Sequence, residues 1–181
     1  AIAARVISIE ADALHQMAGD LPSDFAGAVE AILQTKGRVI VSGVGKSGHI
    51  GNKIAATLAS TGTPASFVHA TEASHGDLGM VTAADFCLLI SNSGETSELH
   101  DIVAHTRRFG IPMAAISSKP ESTLMQAVDY KLTLTQAPEA CFIGMAPTTS
   151  TTLMLALGDA LAVALMERRD VIVVATVSSI Y

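Results

Sequence analysis

Several residue types that mark particular protein classes are scarce in this chain of 181 residues. Cysteine occurs twice, tryptophan is absent, and aromatic residues make up 4% of the sequence. The two cysteines, Cys87 and Cys141, have no metal-ligand spacing and exclude a disulfide framework. With so few aromatic side chains, the core must close through small residues, and alanine, at 29 positions, supplies them.

Charged residues are also scarce. They make up 15% of the chain, against roughly 25% in an average globular protein. The net charge is −6 and there is no run of lysine or arginine, which argues against nucleic acid as the main partner. An apolar content of 49% excludes intrinsic disorder. So much apolar surface with so little charge predicts a homo-oligomer.

No hydrophobic run is long enough to predict a membrane span. The longest, Leu153–Met166, has 14 residues and contains Asp159, whereas a spanning helix needs about 20. No charged start, apolar middle and small-residue cleavage site opens the chain, so nothing in it predicts secretion. We therefore expect a cytoplasmic, reduced protein with no membrane partner.

Short β-branched and apolar runs alternate with helical patterns, which predicts a parallel sheet with helices on both faces. We expect one domain, a three-layer α/β sandwich around a five-stranded flavodoxin-like sheet, with N-terminal helices in 1–36, the sheet core in 37–169 and an atypical tail in 170–181. The predicted strands are Arg38–Ser42, Ala65–His69, Phe86–Ser91, Pro112–Ser117 and Tyr130–Thr135. The predicted helices are Ile9–Ala18, Asp24–Thr35, Lys46–Ser60, Thr96–Phe109, Glu121–Val128 and Pro147–Arg169, and a strand-like run follows at Asp170–Val177.

A glycine-rich segment, Ser42–Gly51, joins the first predicted strand to a helix. Its glycines let the backbone approach an anion at the helix N-terminus, with Gly45 and Ser47 as candidate binding residues. The glycine spacing also fits a dinucleotide fingerprint, but the acidic residue expected about 20 positions later is missing. A tight turn without a ligand is the alternative interpretation.

A second polar segment, Ser91–Glu98, follows the third predicted strand. Its hydroxyls suit a compact phosphate monoester, and the candidate binding residues are Ser91, Ser93, Gly94 and Thr96. The alternative interpretation is a serine cap with Glu98 in the first helical turn. Two such segments beside a topological switch point form a crevice of the kind that binds ligands in open α/β sheets.

Two further segments add acid–base groups to the predicted crevice. Thr71–Gly79 contains His75, and Glu139 follows the fifth predicted strand. A single histidine or a loop glutamate is by default structural or solvated. Two carboxylates, Glu98 and Glu139, and a histidine around a phosphate site nevertheless form a candidate acid–base set.

Five motifs in order resemble the sugar isomerase (SIS) domain family, and within it the D-arabinose-5-phosphate isomerases. The motifs cover roughly residues 10–169 and read GVGKSGHIG, EASHGDLG, SNSGET, EAC and APT, the last continuing into TT…GDALA. The resemblance implies interconversion of D-ribulose 5-phosphate and D-arabinose 5-phosphate, which feeds lipopolysaccharide synthesis. It also implies a homotetramer with a pentose 5-phosphate as substrate.

The resemblance also implies roles for individual residues. Lys46, Glu98 and Glu139 match catalytic positions, and either glutamate suits the base that forms an enediolate, with the Lys46 ammonium on the oxyanion or phosphate. His75 matches a substrate-contacting histidine and Gly62–Thr63 a substrate-binding turn. His69 matches a position linked to substrate and to zinc; we expect no required cofactor and treat zinc as incidental.

The resemblance fails at the end of the chain. Ile180 stands where the family has a catalytic histidine, and the pair of regulatory modules that often follows in full-length relatives is not in this sequence. Two other functions therefore compete with isomerisation. One is a sugar-phosphate sensor without catalysis, which the missing histidine favours, and the other is a nicotinamide-binding domain, which the missing ribose-binding acid disfavours.

Overall fold

The computed structural model describes residues 1–169. Within them the chain folds into a parallel sheet of five strands, β1 (Val39–Gly43), β2 (Ala65–His69), β3 (Phe86–Ile90), β4 (Met113–Ser117) and β5 (Tyr130–Thr133), in the order β2-β1-β3-β4-β5. This flavodoxin-like order confirms the predicted fold class. The strand order reverses between β1 and β3, the point at which such sheets bind ligands. The predicted run Asp170–Val177 and Ile180 lie outside the described residues.

Seven helices surround the sheet in the described part of the chain. They are α1 (Ile2–Gly19), α2 (Phe25–Gln34), α3 (Gly45–Ser60), α4 (Ala70–Ser74), α5 (His100–Phe109), α6 (Thr123–Ala127) and α7 (Thr149–Arg168). Short 3₁₀ turns cover Asp77–Met80 and Ser97–Leu99. Because side chains alternate along a strand, Val39 and Val41 face a core shared with α1, α2, α3 and α7, whereas Ile40 faces a core shared with α5 and α6.

Helix α7 crosses the first of these cores. Gly158 packs so closely on the Ile54 side chain of α3 that a Cβ would overlap it, and this lets the two helices approach each other. Helix α7 is long and apolar enough to cross a membrane, but half of its most apolar stretch is buried inside the fold. A helix that is apolar around much of its circumference is typical of a core helix.

Several predicted boundaries were wrong. Helix α1 begins at Ile2 rather than Ile9, because apolar residues continue at helical spacing through Ile2 and Val6. The segment Thr71–Gly79, for which no helix was predicted, contains most of α4 and a 3₁₀ turn. The last helix, predicted to start at Pro147, begins two residues later at Thr149. Asp24, the predicted first residue of the second helix, precedes α2, and its Oδ2 accepts a bond from the Lys131 amide at 2.8 Å.

Candidate active site at the carboxyl edge of the sheet

The register of the strands brings their carboxyl ends to one edge. Gly43 pairs with His69 on one side and Ile90 on the other, and Ser117 pairs with Thr133. The segments that follow β1, β2, β3, β4 and β5 therefore leave the sheet at the same edge. Most of the predicted site residues lie in these segments.

The glycine-rich segment after β1 brings α3 close to the sheet. A Cβ on Gly43 would stand 3.0 Å from the Ile90 carbonyl oxygen, and one on Gly48 would stand 3.0 Å from the Gly43 carbonyl oxygen. Gly45 has a φ of +55°, a conformation that glycine adopts without strain. Lys46 is exposed in the first turn of α3, and the Ser47 hydroxyl lies 3.8 Å from the Met154 sulfur of α7.

The segment after β3 is a compact loop of hydroxyl groups. The Oγ of Ser91 lies 2.7 Å from the Thr96 Oγ1 and 3.5 Å from the Ser93 Oγ, and it accepts a bond from the Gly94 amide at 3.0 Å. The Glu95 amide donates to the Ser93 Oγ at 3.2 Å. Hydroxyls and amides concentrated in this way are suited to phosphate oxygens.

The hydroxyl loop is fixed to the first turn of α6. The Glu95 Oε1 accepts a hydrogen bond from the Thr123 amide at 2.7 Å, and the Gly94 carbonyl accepts one from the Leu124 amide at 3.0 Å. Gly94 has a φ of +67°, and a Cβ there would overlap the Ser122 side chain. The loop therefore requires glycine at this position for two independent reasons.

Glu139 is fixed against the first turn of α7. Its Oε2 accepts bonds from the Thr148 amide at 2.7 Å, the Thr148 hydroxyl at 3.0 Å and the Ser150 amide at 3.4 Å. The carboxylate satisfies amides that a helix N-terminus otherwise leaves free. In the described residues no hydrogen bond ends on its Oε1, so this oxygen remains available to a ligand.

The surroundings of Glu139 keep it ionised. Partial burial acts to raise the pKa of this carboxyl, but the nearby Ser150 hydroxyl and the bonds from the Thr148 and Ser150 amides outweigh it. The pKa of Glu139 therefore lies below the usual glutamate value. At neutral pH the group is a carboxylate that can accept a proton.

Glu98 lies elsewhere on the edge and is exposed. The Ser97 hydroxyl donates to its Oε2 at 3.0 Å. The pKa of Glu98 is lowered mainly by its own backbone amide and the Ser97 hydroxyl, with smaller contributions from His100 and His69. The structure thus places Glu98 near the end of β2, on a turn that packs against α4. His75 ends α4 and is exposed, so it belongs to this side of the edge.

The structure does not bring every predicted site residue to this edge. Gly62 and Thr63 precede β2, and the Pro64 carbonyl beside them accepts a bond from the Val39 amide at the amino edge of the sheet. Within one chain, Gly62 and Thr63 therefore lie at the opposite edge of the sheet from the hydroxyl loop.

The residues around His69 offer few ligands for the zinc ion that the resemblance implies. Within residues 1–169 no three His, Cys, Asp or Glu side chains are grouped to hold a metal ion. The His69 Nδ1 already accepts from the Thr71 amide at 3.3 Å, capping α4. These residues therefore do not fit a bound zinc ion on their own.

A small chamber at this edge contains functional candidates that sequence reasoning missed. It has a volume of about 180 Å³ and lies among the segments after β3, β4 and β5 and the start of α7. Its polar lining includes Asn92, Ser118, Lys119, Gln136, Glu139 and Ser150. The signal available in the sequence was position: Ser118, Lys119 and Gln136 follow β4 and β5 as the hydroxyl loop follows β3. Larger hollows occur elsewhere on the surface, but they do not contain this set of groups.

A flavodoxin-like sheet with a glycine-rich turn, a hydroxyl loop and a fixed glutamate at one edge defines an α/β domain suited to a phosphorylated ligand. The family model of the SIS domain matches residues 32–164. The chain therefore belongs to the SIS domain family, as its motifs predicted.

Particular relatives are arabinose 5-phosphate isomerases. The chain is 50% identical to the arabinose 5-phosphate isomerase KdsD of Pseudomonas aeruginosa over 92% of its own length and 51% of that protein. With KdsD of Yersinia pestis it shares 53% identity over 91% of its length and 50% of that protein. It spans about half the length of these curated relatives. An E. coli protein solved in complex with arabinose 5-phosphate superposes with a TM-score of 0.87 at 40% identity, over 91% of this chain and 87% of that one.

Proposed function

We propose that this domain interconverts D-ribulose 5-phosphate and D-arabinose 5-phosphate. The observation that carries the proposal is Glu139, an ionised carboxylate held through Oε2 with Oε1 free, in a polar chamber that adjoins the hydroxyl loop. The similarity to KdsD proteins, and the arabinose 5-phosphate bound by the E. coli protein, support the choice of substrate. The product would feed lipopolysaccharide synthesis.

The reaction needs a base and a stabilised oxyanion. The substrate phosphate would bind the hydroxyls of Ser91, Ser93 and Thr96. A carboxylate would take the proton from carbon 2 of the aldose, giving an enediolate, and return it to carbon 1 to give the ketose, while a proton moves between the two oxygens. Glu139 suits the base better than the exposed Glu98 because its position is fixed, and the Lys46 ammonium would stabilise the oxyanion or the phosphate.

An isomerase assay in heavy water tests this proposal. The unaltered chain is expected to convert arabinose 5-phosphate and to exchange its carbon-2 proton with solvent. Glu139→Gln should lower kcat by roughly 10²–10⁴-fold, whereas Glu167→Gln, at the far end of α7, should leave it unchanged. Full turnover by both Glu139→Gln and Glu98→Gln would show that the proposed mechanism is wrong.

A sensor that binds without catalysis is the second candidate, because Ile180 stands in place of the family histidine, but the similarity to arabinose 5-phosphate isomerases favours the isomerase. Tight binding of arabinose 5-phosphate with no proton exchange would identify a sensor. Tight binding of a nicotinamide dinucleotide would instead revive the third candidate.

We also propose a homotetramer acting in the cytoplasm. Exposed large apolar side chains group in two places of the described chain, Ile2 and Ile7 on α1 and Phe142, Ile143 and Met145 in the segment after Glu139. Phe142 is 91% exposed, and exposed apolar patches of this kind are typical of interaction surfaces. Light scattering after size exclusion tests the oligomer, and a monomer at micromolar concentration would contradict it.

A further inference from the structure

The chamber lined by Asn92, Lys119, Glu139 and Ser150 holds polar groups with unmet hydrogen-bonding capacity. The buried Ser150 Oγ lies close enough to Glu139 to lower the pKa of that carboxyl, but neither this hydroxyl nor the Asn92 Oδ1 makes a hydrogen bond of ordinary geometry in the described residues. A buried polar atom without a partner costs about 1–3 kcal/mol. Two such atoms lining one cavity therefore indicate a polar occupant.

Lys119 adds a positive charge to the same chamber. Its backbone is fixed, because its amide donates to the Ser117 Oγ at 3.1 Å and its carbonyl accepts from the Ser122 Oγ at 2.7 Å. Among residues 1–169 no carboxylate lies within ion-pair distance of its ammonium. Lys119 and Glu139 thus share a cavity without pairing, which leaves space between them for a ligand.

The position of the chamber separates it from the phosphate-binding hydroxyls. Asn92 belongs to both regions. It lies in the hydroxyl loop, and its backbone carbonyl accepts hydrogen bonds from the Ser117 and Ser118 hydroxyls, next to the chamber, at 3.1 and 3.0 Å. A phosphate on Ser91, Ser93 and Thr96 would place the rest of a short sugar chain past Asn92, toward Lys119 and Glu139.

We propose that Lys119 contacts the reacting, carbonyl end of the bound sugar phosphate, and that Asn92 and Ser150 bind its hydroxyl groups. This inference rests on the proposed function and deepens it. The Lys119 ammonium would attract the oxygen on which negative charge develops when the neighbouring Glu139 removes a proton. Lys119 would therefore act in addition to Lys46. In the sequence, Lys46 precedes the hydroxyl loop and Lys119 follows it.

Calorimetric binding of three phosphate compounds tests the assignment without depending on turnover. 5-Phospho-D-arabinonate has a carboxylate at the reacting end, D-arabinitol 5-phosphate has a neutral hydroxyl there, and inorganic phosphate has no sugar. Lys119→Gln in the full chain should weaken 5-phospho-D-arabinonate by about tenfold or more, because a charge-assisted bond is lost. The other two compounds should change less than about threefold, since neither has charge at that end.

The control is Lys36→Gln, which removes a lysine of equal charge from the amino edge of the sheet and should leave all three affinities unchanged. A folded Lys119→Gln variant that binds all three compounds as the unaltered chain does overturns the proposal. Equal weakening of all three overturns it too, because Lys119 would then contact the phosphate, and so does failure of the unaltered chain to bind any of them. If 5-phospho-D-arabinonate alone is weakened but the unaltered chain shows no turnover, the inference holds and the proposed function fails.

Discussion

The amino and carboxyl edges of the sheet differ in how many of their buried polar atoms have hydrogen-bond partners. At the amino edge, the buried Asp85 accepts bonds from the Arg38 amide at 2.7 Å, the Thr82 amide at 2.8 Å and the Thr82 hydroxyl at 2.9 Å. At the carboxyl edge, the buried polar atoms that make no hydrogen bond within residues 1–169 are Ser42 Oγ, Asn92 Oδ1, Thr149 Oγ1 and Ser150 Oγ. One unpartnered hydroxyl, that of Thr63, lies at the amino edge.

This difference separates stability from function within one small domain. The groups around Asp85 at the amino edge satisfy one another and stabilise the fold, whereas the four unpartnered atoms at the carboxyl edge remain available to a ligand at the cost of stability. Open α/β sheets bind ligands at their carboxyl edge, so the contrast follows from the topology as well as from the residues. Substitutions at the two edges should therefore affect different properties.

The largest loss of stability is expected at the amino edge. Asp85→Ala should lower the free energy of unfolding by about 3 kcal/mol, because it leaves the Arg38 and Thr82 amides without their acceptor. Urea unfolding measures the change. Arabinose 5-phosphate binding by the folded variant should be unchanged, and a loss of binding larger than the loss of folded protein would contradict the division between the edges.

The same substitution should alter the response to acid. Burial acts to raise the pKa of Asp85, but hydrogen bonds from Arg38 and Thr82 outweigh it and the folded pKa is lowered. The stabilisation is thus present above the unfolded pKa and is lost as the pH falls through the folded one. The difference in unfolding free energy between the two chains should shrink below about pH 4.

Gly94→Ala should produce the next largest effect. The new Cβ would meet both a φ of +67° and the Ser122 side chain, so we expect a loss of about 2 kcal/mol together with weaker phosphate binding. The matched control is Gly110→Ala, where φ is +63° and the Cβ would have open space; it should cost about 1 kcal/mol from the conformation alone. Equal costs for the two variants would show that the contact with Ser122 is unimportant.

The fold was largely predictable because periodicity determines it. The predicted start of β2, β3 and β5 is the observed one, since buried apolar runs between glycine and proline signals are typical of parallel strands. Short helices were harder. Helix α4 has five residues, and its N-cap is a histidine ring nitrogen, a contact with no sequence signal.

The candidate site was predictable only in part. Motifs identified the hydroxyl loop and both glutamates. The hydrogen bonds that hold Glu139 in place, however, come from Thr148 and Ser150, nine and eleven positions later across an irregular loop. The chamber depends on four segments that meet only in the folded chain, so position after β4 was the one sequence signal for Lys119, and Ser150 had none. Tertiary contacts, rather than sequence spacing, place Lys119 and Ser150 in the chamber.

The pH dependence of activity tests the carboxyl edge with a smaller expected effect. Because the pKa of Glu139 lies below the usual glutamate value, the base should stay ionised in mild acid. The value of kcat/KM, expressed for the dianionic form of the substrate phosphate, whose second pKa is about 6, should therefore fall by less than about twofold between pH 7 and pH 5. Initial rates across this range measure it. A midpoint above the usual glutamate pKa would indicate that another group acts as the base.

The smallest expected effect is also the most direct comparison of a satisfied and an unsatisfied group. Ser150 and Ser122 are both buried serines, 7% and 5% exposed, but the Ser122 hydroxyl donates to the Lys119 carbonyl at 2.7 Å. The Ser150 hydroxyl makes no hydrogen bond of ordinary geometry in the part of the chain that the structure describes. Ser122→Ala should lower the free energy of unfolding by about 1 kcal/mol, whereas Ser150→Ala should change it by less than about 0.5 kcal/mol or raise it. Binding of arabinose 5-phosphate should follow the opposite order, since only the Ser150 hydroxyl is free to bond a ligand. If Ser150→Ala proved the more destabilising of the two, its hydroxyl would have a partner in the folded protein, and the argument that the chamber holds groups reserved for a ligand would fail.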